Sequence, residues 1–566
     1  MKSLVKYRFV IALLAICLIP AAAQTPAASL LDRLPRAAGG HYASAVAAAR
    51  ARGAAGRADL LWLELFYGDP AAKEAARKEM AGPQLTVPEA QAPELAFVRF
   101  VAAYSRGADR AMLAAALQLT RTAPNDVATE LAVRALSGQL ENQGRALLDA
   151  VPSLEHVLEQ PLADPTTTYM LGRSLLAAVH APGLALSQEE ALRLAGRLPH
   201  WQLWGPFGQY QNLGFDQQFP IEATVASDYP SDLGSGASDV ATRHAQPFTS
   251  SGDGISFPLD WGAEGVDYAV TWVQAPAATR VLLRLYTPAS VQVGINGVEV
   301  LRNDRRSSYT PAATAAAVEL AAGWNRIVVK LAGEASRNFD LMLRPADPAV
   351  RLVNAAAPPA GTAPGAAPRK LAAPVTLAEW GAARLKQHPE DAVALWVTGL
   401  RKLQDEDAEG AREALLEAGK IAPAAAPAWL DLSEADGNLS DASQSWAAAQ
   451  VEQAARQALT AAPGALRAYD RLGHVYESQG KVTQAAEQYT HCANQGFGDC
   501  DWSLFHLAAG QHWRPEAESA LEHALADSGS DWQAITSGLE FYSAMGDAAK
   551  LAEWERVMQA DPRAAG

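Results

Sequence analysis

The sequence predicts a multidomain chain of α and β units, in which α-solenoid arms of helical hairpins flank an antiparallel β-sandwich or jelly roll. Apolar residues recur every three to four positions over residues 29–198 and 377–562, as in amphipathic helices. Over residues 199–345 they alternate with polar residues, as in strands. The chain of 566 residues also exceeds a single core, because domains usually hold about 100–200 residues.

Residues 1–23 have the pattern of a secretory signal peptide. Lys2, Lys6 and Arg8 precede the apolar run Phe9–Ile19, and the small residues Ala21–Ala23 offer a cleavage site. The apolar run is short for a bilayer span, which disfavours the alternative of a retained anchor helix. We therefore expect cleavage after Ala23, a periplasmic or secreted location, and no membrane insertion of the mature chain.

The charge and the cysteines restrict the partners and the compartment. The formal net charge is −15, and it becomes −18 without the signal peptide, which carries three basic and no acidic residues. Nucleic acids and anionic membranes need basic patches, so we expect neither as a partner. Outside the signal peptide the cysteines are Cys492 and Cys500. In an oxidising compartment they are a candidate disulfide, and two free thiols are the alternative.

Residues 29–198 are predicted to form a helical arm. Ala58–Phe66 and Glu94–Tyr104 have the apolar spacing of amphipathic helices, and Gly and Pro separate the short helical segments. The segment RAMLAAALQLTRTAPND, residues 110–126, resembles the second helix and terminal proline of a tetratricopeptide repeat. This resemblance implies a diverged solenoid of such repeats, and a plain array of helical hairpins is the alternative.

Aromatic residues concentrate in Trp201–Glu222, where the helical period gives way to the strand period. The segment holds Trp201, Trp204, Phe207, Tyr210, Phe215 and Phe219. Large aromatic side chains are buried by default. We therefore expect them to fix the helical arm rigidly to the first strand rather than to form a ligand platform.

The strand pattern of residues 199–345 includes a hairpin signal. Val281–Tyr286 and Arg326–Leu331 alternate, and Asn296-Gly297 separates two further alternating runs. The hairpin and the later spacing resemble the galactose-binding-like β-sandwich family, with the matching residues Leu320, Gly323, Asn325, Ile327, Val329 and Lys330. That resemblance implies the fold and leaves open whether the domain binds sugar or acts as a spacer.

A sugar site would need aromatic platforms beside polar groups. The candidate ligand-binding residues are Trp204, Tyr210, Trp261 and Trp272. The alternative is that these rings fill the core of the domain.

Residues 346–376 are predicted to be a linker. Ala355–Pro374 is of low complexity and rich in Ala, Pro and Gly. Such a composition predicts a semi-extended tether, which would leave the C-terminal helices free to move.

Aromatic residues recur through residues 377–562 at intervals of 33, 40, 33 and 30, at Trp396, Trp429, Tyr469, Trp502 and Trp532. The clearest unit resembles the consensus of the tetratricopeptide repeat through Tyr469, Leu472, Gly473, Tyr476 and Ala485. In such a repeat Gly473 would let the two helices approach closely, and Ala485 would be small where they cross.

These resemblances imply an exported scaffold that binds a protein or peptide partner on the concave face of its repeats. The layout is similar to the non-catalytic front part of bacterial transglutaminase-like multidomain proteins, so no catalytic residue carries over. The common phosphate-loop, nucleophile-elbow and zinc-helix motifs are missing. We expect no cofactor, no metal and no enzymatic activity. Recognition of a cell-wall glycan by the β-domain and an enzyme of unrecognised type are the alternatives.

Overall fold

The computed structural model describes residues 29–560 except residues 39, 82–84, 86, 141–143, 163, 180–185, 209–210, 231–241, 253, 259–264, 305–311, 333–337, 373–374, 440–442 and 529–531. The predicted signal peptide, Tyr210 and Trp261 lie outside the described residues. The described chain is a multidomain α and β structure, in which helices precede and follow an antiparallel β-domain.

The described residues before the β-domain are mainly helical. The helices are α1 (Leu30–Arg33), α2 (Tyr42–Ala51), α3 (Arg57–Tyr67), α4 (Pro70–Ala81), α5 (Ala92–Arg106), α6 (Asp109–Thr122), α7 (Val127–Leu140), α8 (Gly144–Leu158), α9 (Pro165–Ala178) and α10 (Gln188–Leu194). Capping interactions are visible at two of the helix ends. Asp164 caps α9 by accepting from the N–H groups of Thr166 and Thr167, and Gly107 ends α5 with a φ of 79°.

Two large antiparallel sheets and a separate two-stranded sheet form the β-domain. The strands are β1 (His200–Phe207), β2 (Asp228–Pro230), β3 (Thr242–His244), β4 (Gln246–Thr249), β5 (Ile255–Ser256), β6 (Val266–Ala275), β7 (Thr279–Thr287), β8 (Ser290–Ile295), β9 (Val298–Asn303), β10 (Ala312–Leu320), β11 (Gly323–Ala332), β12 (Asn338–Pro345), β13 (Val353–Ala355) and β14 (Arg369–Leu371). The larger sheet has the order β4-β1-β6-β11-β8-β9, with β13 also on β6, and the smaller has the order β14-β10-β7-β12-β5. Two short helices, α11 (Gln211–Asp216) and α12 (Pro220–Ala223), follow β1.

The apolar faces of the two sheets share one core. Leu283 and Leu285 of β7 lie in the same buried cluster as Ile327 and Val329 of β11. Alternate residues therefore point inward from both sheets, as the period of two predicts. Asn296 and Gly297 both have positive φ, 49° and 78°, at the turn between β8 and β9, so the predicted hairpin is confirmed.

The C-terminal helices pair into hairpins. They are α13 (Leu377–Gln387), α14 (Ala392–Gln404), α15 (Ala408–Ile421), α16 (Ala426–Gly437), α17 (Gln444–Ala461), α18 (Leu466–Ser478), α19 (Val482–Ala493), α20 (Gly498–Gly510), α21 (Arg514–Ser528), α22 (Trp532–Met545) and α23 (Ala548–Ala560). The first helices of the hairpins, from α14 to α22, begin at residues 392, 426, 466, 498 and 532. The long interval, from 426 to 466, contains the 18-residue helix α17.

A small residue on the first helix faces a large one on the second in three of these hairpins. A Cβ atom on Gly473 would lie 2.2 Å from Tyr489 Cε1, and one on Gly399 would lie 2.4 Å from Leu415 Cγ. The same relation joins Gly538 to Trp554, and each pair is separated by 16 positions. The glycines therefore allow the close approach of the paired helices, and Ala485 of α19 is fully buried.

The segment predicted as a tether belongs partly to the sheets. Val353–Ala355 pairs with β6, and Arg369–Leu371 pairs with β10. Asn354 Nδ2 donates to Thr271 Oγ1 at 2.6 Å, and Arg369 pairs with Glu319. The prediction of a semi-extended tether is therefore wrong for these residues, since backbone pairing at sheet edges tolerates an Ala- and Pro-rich composition.

The two helical regions share one large buried apolar cluster, so the expected free movement of the C-terminal helices is also wrong. One apolar cluster joins Leu61 and Phe97 of the N-terminal helices to Val393 and Trp396 of α14. The backbone N–H of Leu377, where α13 begins, donates to the carboxylate of Glu130 at 2.8 Å.

The aromatic segment at the junction packs inside the β-domain. Trp201 lies in the core between the sheets and meets Phe339 edge-on at 5.6 Å. Trp204, Phe207, Phe215 and Phe219 lie with Tyr268 in a cluster on β1, β6, α11 and α12. The expectation that these rings fix the helical arm to the first strand is therefore wrong, because they are covered by the domain's own helices.

Helix α9 makes the contact that the aromatic segment was expected to make. Tyr169 lies in a cluster with Leu282, Ala317 and Met342 of the smaller sheet. Its hydroxyl donates to Asp340 at 2.7 Å, and the Arg284 guanidinium lies 3.8 Å from the centre of its ring. Tyr169, held between an acid and a cation, is therefore one of the contacts that seat the helical arm on the β-domain.

Candidate functional site

The N-terminal helices lie on the first helices of the C-terminal hairpins. Helix α5 contacts α16 and α18, and α7 contacts α13 and α14. The first helices also contact one another in sequence, α14 with α16, α16 with α18, and α18 with α20. The N-terminal helices therefore cover part of the face that the first helices of the hairpins form.

A buried polar network holds this contact. Asp431 of α16 accepts a hydrogen bond from Tyr104 Oη at 2.6 Å and another from Trp396 Nε1 at 2.7 Å. Arg467 of α18 lies over the Tyr104 ring at 4.8 Å and pairs with Glu434 at 3.1 Å. Burial raises the pKa of Asp431 to about 7, although Arg467 and the two hydrogen bonds act in the opposite direction.

Beside the covered region, α18 and α20 enclose a groove of about 510 Å³. We call it the α18–α20 groove, and it is lined by His474, Glu477, Ser478, Trp502, Ser503 and His506. The indole of Trp502 is partly exposed, and the His474 side chain is half exposed. The groove thus presents an aromatic surface beside several hydrogen-bonding groups.

The polar groups of the groove form one network. Ser503 Oγ donates to Asp470 Oδ1 at 2.8 Å and lies 3.4 Å from His474 Nε2. Tyr489 Oη lies 2.9 Å from His474 Nδ1 and 3.0 Å from Glu477 Oε2. Asp470 and Ser503 are separated by 33 positions, the same interval as Tyr469 and Trp502. Equivalent positions of consecutive repeats therefore face each other across the groove.

A serine, a histidine and a carboxylate at this spacing invite comparison with a nucleophilic site. However, the Ser503 hydroxyl is directed at Asp470 rather than at the imidazole. Ser503 also lies inside α20, where backbone N–H groups bond within the helix and cannot form an oxyanion hole. The network therefore suits recognition of polar groups better than acyl transfer.

The proposed sugar-binding residues do not form a platform where the structure describes them. Trp204 and Trp272 are 3% and 2% exposed. Trp204 meets Tyr229 edge-on at 5.0 Å, and Trp272 lies on β6 between β11 and β13. Both indoles are packing residues, and burial removes them from any ligand outside the domain. Tyr210 and Trp261 lie outside the described residues.

The repeat residues have different environments. Trp396, Leu472, Tyr476 and Ala485 are buried, whereas Trp429, Tyr469 and Trp502 are partly exposed. The Trp532 side chain lies outside the described part. Sequence reasoning identified Trp502 as a repeat marker and missed its neighbours His474, Glu477 and Ser503. The sequence signal that could have found them is the repeat interval, because polar residues at equivalent positions of consecutive repeats face each other. Asp470 and Ser503 are such a pair, 33 positions apart.

A disulfide joins Cys492 and Cys500 across the turn between α19 and α20. Phe497 of this loop is buried, and a Cβ atom added to Gly107 would lie 2.5 Å from its ring. The disulfide-bonded loop therefore packs against the end of α5.

A second cavity, of about 810 Å³, lies where α10 meets β1, β12 and β13. Several of its charged groups are already engaged, since Glu190 pairs with both Arg193 and Arg351, and Arg197 pairs with Asp340. Among the described residues, no three His, Cys, Asp or Glu side chains are grouped to hold a metal ion. Within the same residues, no helix is long and apolar enough to cross a membrane.

Similarity to known proteins is found among solved structures. No protein-family model and no curated protein matches the chain. Similar structures include MamA, which has 22% identity and a TM-score of 0.24, with 26% of this chain and 85% of MamA covered. Pseudomonas aeruginosa pilF has 14% identity and a TM-score of 0.27, with 33% and 84% covered. Cut9-Hcn1 of the APC/C has 15% identity and a TM-score of 0.20, with 33% and 44% covered. Similarity at these TM-scores supports no conclusion about this chain.

Proposed function

We propose that the chain is an exported scaffold protein whose C-terminal helices are tetratricopeptide repeats that bind a protein or peptide partner. The observation that carries this proposal is the α18–α20 groove, which is open beside a face that the chain's own helices already occupy. Trp502 would supply the apolar contact, and His474, Glu477 and Ser503 would supply hydrogen bonds.

The contact between the N-terminal and C-terminal helices supports the proposal, because it shows which kind of side chain the surface of the C-terminal helices can bind. Helix α5 lies against α16 and α18 through a buried aromatic side chain, Tyr104, that also makes a hydrogen bond. A partner segment in the neighbouring groove would meet a surface of the same kind, with one aromatic side chain and several polar groups.

The central domain is proposed to be a galactose-binding-like β-sandwich that acts as a spacer. The burial of Trp204 and Trp272 favours this role over glycan recognition. The proposal assigns no catalytic step, cofactor or metal to the chain.

Selection from a random peptide library would test the proposal. Peptides enriched on the mature chain should lose binding to Trp502→Ala and keep binding to Trp446→Ala, which removes an exposed indole from α17 instead. Enrichment that is equal on all three proteins would contradict it.

Export is a separate proposal, supported by the pattern of residues 1–23. Mass spectrometry of the protein recovered from a bacterial periplasm should give Gln24 as the first residue. A chain that retains residues 1–23 would exclude cleavage after Ala23.

A further inference from the structure

Most of the net charge of the mature chain lies in its C-terminal third. Residues 377–566 hold 14 of the 47 Lys and Arg residues and 29 of the 62 Asp and Glu residues, so their net charge is −15. Residues 24–376 hold 30 Lys and Arg residues and 33 Asp and Glu residues, so their net charge is −3. The hairpins beside the β-domain therefore carry a negative field that the rest of the chain does not balance.

The chain's own helices show how this acidic array is recognised. Arg36, from the loop after α1, pairs with Asp391 at 2.8 Å, and Arg134 of α7 pairs with Asp405 at 3.1 Å. Asp391 and Asp405 are the residues at the two ends of α14. Together with Tyr104 on Asp431, these contacts place cationic and aromatic side chains of the N-terminal helices on carboxylates of the array.

No Lys or Arg is among the described residues that line the α18–α20 groove, so neither kind of side chain in its lining can pair with its carboxylates. Its six lining residues include Glu477 and no Lys or Arg. Asp470, at the base of the network, bonds to Ser503 and lies 3.5 Å from His474. The two arginines of α18, Arg467 and Arg471, are both directed at Glu434 of α16. The groove therefore continues the acidic surface at the point where the N-terminal helices stop covering it.

We propose that the α18–α20 groove binds a cationic polypeptide segment, with a Lys or Arg side chain at Asp470 and Glu477 and an apolar or aromatic side chain on Trp502. This inference rests on the proposed function and adds the charge of the partner. Opposite charge would guide the segment to the array, and the indole would hold it there.

Two synthetic peptides of equal length, one with alternating Arg and Trp and the other with Glu in place of Arg, test the inference. Their binding to the mature chain is measured by fluorescence anisotropy at low and high salt. We expect the cationic peptide to bind at least about tenfold more tightly than the acidic one, and to weaken at high salt. Glu477→Gln keeps an oxygen for Tyr489 and should weaken the cationic peptide by about threefold to tenfold.

Glu413→Gln is the matched control, because Glu413 lies exposed on the second helix α15 and its substitution removes the same charge. The inference is overturned if Glu413→Gln weakens binding as much as Glu477→Gln does, since the attraction is then diffuse. It is also overturned if the acidic peptide binds more tightly and is lost in Trp502→Ala, in which case the groove binds peptides of another charge. If both peptides bind Trp502→Ala as tightly as they bind the natural chain, this inference and the proposed function are both contradicted.

Discussion

Tyr104 Oη donates a hydrogen bond of 2.6 Å to Asp431 Oδ1, and this bond joins residues that are 327 positions apart. The second oxygen of the carboxylate accepts from Trp396 Nε1. All three side chains are buried. The helices before and after the β-domain therefore stabilise each other directly, and the β-domain is an insertion between two parts of one helical body.

Tyr104→Phe should lower the free energy of unfolding by about 1–3 kcal/mol, because it leaves one oxygen of a buried carboxylate without its donor. The measurement is urea denaturation followed by circular dichroism. Tyr542→Phe is the matched control, since the buried Tyr542 hydroxyl has no hydrogen-bond partner among the described residues. Its removal should be neutral or slightly stabilising. Equal losses in the two variants would show that the Tyr104 bond has no special weight.

Asp431 should make stability depend on pH. Burial raises its pKa to about 7 in the folded chain, whereas an exposed Asp has a pKa of about 4. Between these values the folded chain holds a proton that the unfolded chain has released, so stability falls as the pH rises through this window. The loss from this group is at most about 4 kcal/mol.

Asp431→Asn removes the titrating group, so the difference in stability between the natural chain and this variant should shrink as the pH rises from about 4 to 7. Urea denaturation of both proteins at several pH values measures it. Stability curves that stay parallel across the window would contradict a raised pKa.

Gly473→Ala should destabilise the hairpin of α18 and α19. The added Cβ atom would lie 2.2 Å from the ring of Tyr489, and overpacking of this kind costs about 1–3 kcal/mol. Gly510→Ala adds the same atom where no heavy atom lies within 4 Å, so it should be neutral or stabilising. Thermal unfolding of the two variants is the measurement, and a Gly473→Ala protein as stable as the natural chain would exclude the close approach.

Sequence reasoning succeeded where the information is local. The spacing of Leu472, Gly473, Tyr476 and Ala485 predicted a close-packed hairpin, because each residue's role depends on neighbours within one repeat. Alternation predicted the strands of the β-domain for the same reason, since the period of two reports directly on the buried face.

The errors concern contacts between distant segments. The aromatic side chains of Trp204 and Phe207 predict burial. The sequence around them does not tell whether the helical arm or the domain's own α11 and α12 cover them. Residues 346–376 lack alternation because their two strands, β13 and β14, are each only three residues long. The bond between Tyr104 and Asp431 spans the whole β-domain, so no local pattern could reveal it.

The disulfide of Cys492 and Cys500 should stabilise the contact between α5 and the C-terminal helices. It closes a loop with a sequence separation of 8, and loops of this size contribute about 2–3 kcal/mol by restricting the unfolded chain. The same loop holds Phe497 against Gly107 at the end of α5.

Reduction should therefore lower the melting temperature and increase hydrogen exchange at the C-terminal end of α5. The double variant Cys492→Ser/Cys500→Ser should behave as the reduced protein does and respond to no reductant. If reduction changes exchange only within α19 and α20, the loop stabilises its own hairpin and not the joint between the two helical regions.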